Sequence, residues 1–125
     1  MKILFAVPDR DLLECYRKLL EEDLGETVTS FDGTQVISLL STDDFDVLIL
    51  DKKLPRVDYR KIAERAVSKN IPVILLTDEP EGARRLTDEK LKIEHLSYPF
   101  TFDRVKDAIN KTLSEAGQRK EEAEK

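Results

Sequence analysis

A chain of 125 residues is long enough for one hydrophobic core and too short for two, so the sequence reads as a single domain. Its formal net charge of -5 argues against a nucleic-acid surface, which is built from clustered Lys and Arg. Hydrophobic residues make up 40% of the chain, yet no apolar run nears the roughly 20 residues of a membrane span, and a lone Cys15 excludes an internal disulfide or a cysteine metal cluster.

Met1 to Val7 is nearly all apolar and reads as a first strand, central in its sheet. This start has neither the apolar length nor the small-residue cleavage site of a secretory signal, so a cytoplasmic location is expected. Pro8 ends the strand, having no N–H to give to a ladder. Asp9 is the expected N-cap of a first helix, on which Leu12, Leu13, Tyr16, Leu19 and Leu20 recur at helical spacing until Gly25 stops it. Cys15, beside Tyr16, reads as a packed or half-packed thiol. Thr27 to Phe31 is a second strand of weaker hydrophobicity, which suits a sheet edge. Asp32-Gly33 turns the chain, and Val36, Ile37, Leu39 and Leu40 give a short second helix that ends near Ser41 to Asp44.

From Val47 to Leu50 every side chain is apolar, as a strand buried on both faces requires. It ends on Asp51, which places a carboxylate at the carboxyl edge of the sheet, where open α/β folds bind ligands. Asp58 caps a third helix with Tyr59, Ile62, Ala63, Ala66 and Val67 facing inward, and Asn70 marks its exit. Ile71 to Thr77 is the fourth strand, with Pro72 at its start. Residues 78–90 read as a thin, polar fourth helix with Pro80 in its first turn and Ala83 and Leu86 as its apolar face. Ile93 to Ser97 is a fifth strand closed by Tyr98-Pro99, and Thr101 caps a last helix that turns Phe102, Val105, Ala108, Ile109 and Leu113 inward. The domain then spans 1–116, and residues 117–125 form a charged tail, either a helical extension or a linker.

Alternation of β and α five times forces an α/β fold with a mostly parallel sheet and helices on both faces, because each parallel crossover is right-handed and needs a helix-length connection. The strand ends then bring Asp9, Asp51, Thr77, and Tyr98 with Pro99 to one rim. Taken alone, Asp51 caps loop amides there and Thr77 bonds its own backbone.

From Met1 to Ala116 this layout resembles the receiver domain of two-component response regulators. The likeness rests on Lys2-Ile3-Leu4, on Leu12 to Leu20, on Asp51-Lys52-Lys53-Leu54-Pro55-Arg56-Val57-Asp58, on Thr77, and on Pro99-Phe100. It implies a (βα)5 doubly wound, flavodoxin-like sheet of five parallel strands in the order 2-1-3-4-5. In that family a sensor kinase phosphorylates the aspartate ending strand three, and an acidic pair after strand one holds Mg²⁺. A Thr or Ser after strand four and a Lys before the strand-five proline contact the phosphoryl group.

By this mapping Asp51 is the phosphoacceptor position and Thr77 the hydroxyl. The acidic pair falls at Val7 and Pro8, which cannot ligate, so Asp9, Asp51 and Lys53 remain as candidate metal-site residues for a weak magnesium site at most. The lysine falls at Tyr98, which is uncharged at neutral pH. His95 takes the place of the switching aromatic, Pro99 completes the pocket, and Tyr59 replaces a common glycine.

A phosphoryl group on Asp51 would bring roughly two negative charges, and its transfer is catalysed by positioning and by neutralising that charge. With the acidic pair and the lysine lost, the expected function is a pseudo-receiver. Such a module binds proteins with a degenerate phosphorylation pocket, and its partner is a sensor kinase or a downstream effector. The surface expected to meet that partner runs from the fourth helix to the fifth strand and last helix. The alternative is a weakly active phosphoacceptor that uses Asp9 and Asp51 for magnesium. A ligand-binding or enzymatic flavodoxin-like domain ranks below both, since the chain has no G-x-G-x-x-G, no G-x-x-x-x-G-K-[ST] and no Ser/His/Asp set. No enzymatic activity, catalytic residue, required cofactor, nucleic-acid contact or membrane contact is therefore expected, and the oligomeric state is left open.

Overall fold

The structure, a computed structural model, describes residues 1–78 and 93–124, with side chains as far as residue 115. In chain order come β1 (Lys2–Ala6), α1 (Arg10–Asp23), β2 (Glu26–Ser30), α2 (Gly33–Thr42), β3 (Val47–Asp51) and α3 (Tyr59–Ser68). They are followed by β4 (Val73–Thr77), β5 (Glu94–Ser97) and α4 (Phe102–Glu124). All strand pairs are parallel and the sheet order is β2-β1-β3-β4-β5. The weakly hydrophobic β2 takes the edge, and the apolar β1 and β3 lie inside. The expected fourth helix falls almost wholly in 79–92, outside the described residues.

Helix starts follow local chemistry. The Asp9 carboxylate accepts from the amides of Asp11 and Leu12 at 2.9 and 3.2 Å, and Asp58 accepts from the Arg60 amide at 2.9 Å. Asp32, read from the sequence as part of a turn, caps α2 by accepting from the Thr34 amide at 2.7 Å. Its other oxygen pairs with Arg56 Nε at 2.9 Å, and Arg56 has a φ of 79°.

Helix ends are equally local. Asn70, at a φ of 61°, closes α3: the Ile71 amide donates to Ala66 O and the Asn70 amide to Val67 O, both at 2.9 Å. That is a Schellman closure with Asn in the left-handed position where glycine is commonest. Gly25 after α1 serves a close approach, since a Cβ there would run into the Met1 carbonyl oxygen. Through Gly117, α4 continues as one helix to Glu124. The run of Gln, Arg, Lys, Glu and Ala outweighs a glycine costing about 1 kcal/mol in a helix interior.

Two apolar layers flank the sheet. Leu48 and Leu50 pack with Val36 of α2 and Ile62 of α3 on one face. On the other, Val47 and Ile49 pack with Tyr16 and Leu20 of α1 and Ile109 of α4. Each such side chain gains about 1.5–3 kcal/mol on full burial. Cys15 corrects the sequence reading: it is exposed, because Leu13, Tyr16 and Leu20 define the buried stripe of α1 and place position 15 outside it. Among the described residues no helix is long and apolar enough to cross a membrane.

Candidate functional site

Three adjacent parallel strands deliver the site. Asp51 ends β3 opposite Leu76, and Thr77 ends β4 opposite Ser97. The ladder runs one step further, with the Lys52 amide donating to Leu76 O at 3.0 Å and the Tyr98 amide to Thr77 O at 2.8 Å. These bonds fix the backbone just beyond Asp51 and just beyond Thr77 before any side chain is considered.

Asp51 is buried, at 6% exposure. Its Oδ1 accepts from the Lys53 amide at 2.7 Å, and its Oδ2 accepts from the Tyr98 hydroxyl at 2.7 Å. The second is a charge-assisted bond of the short, strong kind. Burial pushes the Tyr98 phenol well above its ordinary value, and the hydrogen bond to Asp51 and the Asp51 charge push it the same way. Tyr98 is therefore a neutral donor through the physiological range. Lys53 Nζ pairs with Asp78 at 2.6 Å, and this bond raises the lysine pKa and lowers that of the carboxyl.

Asp51, Lys52, Lys53, Thr77, Asp78 and Tyr98 line one cavity of about 30 Å³. That is room for about one water. Thr77 is buried at its wall. Asp9 lies on the same side of the sheet, and its charge is felt at Tyr98, but its Oδ1 serves as the α1 cap. His95 stands back in β5 opposite Leu75 and is absent from the cavity wall. Pro99 is exposed just beyond Tyr98.

The donor set does not fit a magnesium site of the receiver kind. Val7 is fully buried and carries no ligand atom, and both oxygens of Asp51 already accept hydrogen bonds. Among the described residues no group of three or more His, Cys, Asp or Glu is placed to hold a metal ion.

Sequence reasoning passed over Asp78, although a second polar residue directly after the fourth strand was a usable signal. It also passed over the clamp on the β3–α3 loop. There the Gly33 amide donates to Pro55 O at 3.0 Å and Asp32 holds Arg56.

No family model matches the chain. It is 29% identical over 91 residues to sporulation initiation phosphotransferase F of Bacillus subtilis (strain 168), covering 70% of this chain and 73% of that protein. It is 24% identical over 108 residues to response regulator MprA of Mycobacterium avium (strain 104), covering 84% of this chain but 47% of MprA, so it spans about half the length of that relative. The solved receiver domain of the Francisella response regulator 1452 superposes with a TM-score of 0.80 at 25% identity, over 91% of this chain and 97% of that one. Strand order, the aspartate ending β3, and these likenesses in sequence and shape consistently identify the fold and sequence pattern of a response-regulator receiver domain.

Proposed function

We propose that this receiver domain is a protein-interaction module of two-component signalling whose phosphoacceptor pocket is idle. The observation that carries this reading is the double engagement of Asp51, by the Lys53 amide and by the Tyr98 hydroxyl. Phosphoryl transfer is catalysed by positioning and by neutralising the developing charge. Tyr98, bonded to Asp51 where the family places a lysine, is neutral and supplies no such charge. The domain then works without a cofactor and without chemistry of its own, in the cytoplasm, by binding a sensor kinase or a downstream effector and no nucleic acid.

The test is an amide NMR spectrum recorded with acetyl phosphate or beryllofluoride and millimolar Mg²⁺. It stays essentially unchanged if the pocket is idle; shifts centred on Asp51 and Thr77 sink the reading. The triple variant Val7→Asp, Pro8→Asp, Tyr98→Lys restores the family's groups and is expected to respond. A triple variant as silent as the parent would show that the absent groups were not the reason.

A further inference from the structure

Behind Tyr98 the aromatic rings form a continuous file. Tyr98 and Phe100 have centroids 4.7 Å apart with planes tilted by 37°. Phe100 meets Tyr16 edge-on at 6.0 Å, and Tyr16 meets Phe102 edge-on at 5.9 Å. Tyr16, buried on α1, is the hub, since it also stacks on Phe5 of β1 at 5.4 Å with a 13° interplanar angle. The file ends at the surface: Lys106 Nζ lies 5.6 Å from the Phe102 centroid and 3.1 Å from Asp23 Oδ2, where the last residue of α1 meets α4.

We propose that this file couples the Tyr98–Asp51 hydrogen bond to the packing of α4 against α1. A displaced phenol is then read at the α1–α4 face, and a shift of that face alters the hold on Asp51. Two physical points carry the step. Tyr98 is half-buried, so water can take over its hydroxyl when the bond to Asp51 is broken. Rings in such contact are close-packed and rearrange between discrete states instead of deforming smoothly, so movement of Tyr98 obliges Phe100 and then Tyr16 to resettle. Thermodynamic linkage makes the coupling run equally in both directions.

The inference rests on the proposed hold of Tyr98 on Asp51, but not on the pocket being idle, and its test contains no phosphoryl donor. Tyr98→Phe keeps the ring and removes the bond. Its expected signature is a change in the ring resonances of Tyr16 and Phe102 and in the amides of Asp23 and Lys106, lost when Phe100→Leu is added. Shifts confined to residues 51–53, 77 and 97–99, or shifts that persist in the Phe100→Leu background, overturn the proposal. Lys106→Ala, a surface change, gives the reverse reading even if the Phe100→Leu chain fails to fold. Several-fold faster exchange of the Tyr98 hydroxyl proton supports the coupling, and unchanged exchange refutes it.

Discussion

At Tyr98 a phenol stands where receivers carry an ammonium, and it meets the same carboxylate without bringing a charge. The difference has a consequence at alkaline pH. A tyrosine in the unfolded chain titrates near 10, whereas in the fold burial and Asp51 hold Tyr98 protonated to higher pH. Its contribution to stability is complete below the unfolded value. Above it the unfolded chain carries fewer protons than the native one, so stability falls as pH rises towards the folded value. Urea midpoints taken from about pH 9 to about pH 11 should fall more steeply for the wild type than for Tyr98→Phe, by at most about 1.4 kcal/mol per pH unit and less as water screens a half-buried group. That Asp51 and Tyr98 share a rim was legible in the sequence, because parallel strands end together. That the hydroxyl reaches Oδ2 was not, since side-chain reach and rotamer are decided in space.

The elements were legible wherever a cap or a period announced them. Asp9 and Asp58 behave as their positions before apolar helices suggest, and Asn70 ends α3 by taking the left-handed conformation that asparagine tolerates. Asp32-Gly33 was harder, because its role depends on a loop distant in sequence. A Cβ at Gly33 would stand 2.9 Å from the Pro55 carbonyl oxygen and 3.0 Å from Val57 Cβ. Replacing glycine by alanine in a helix ordinarily gains up to about 1 kcal/mol. Here overpacking, typically about 1–3 kcal/mol, wins. Gly33→Ala is expected to lower stability by about that difference, measured by urea unfolding, and to loosen the loop from Pro55 to Val57. An unchanged midpoint would mean that the loop gives way freely.

Across the whole molecule the sheet separates two apolar layers, so neighbouring residues of β3 serve opposite halves of the core. Ile49→Ala and Leu50→Ala should each cost about 2–5 kcal/mol in chemical denaturation, with an unchanged dependence on denaturant. Val28→Ala, on the partly buried edge strand, should cost less; similar losses at all three positions would contradict the layering. The two-layer plan was readable from Val47 to Leu50 alone, because four apolar residues in succession leave no face of a strand for water. The doubly engaged Asp51 has a consequence at this scale too. In the proposed role the domain has no covalent on-state, so its influence is set by copy number. Each tenfold change in abundance then does the work of about 1.4 kcal/mol of affinity, and control passes from a kinase to synthesis and turnover.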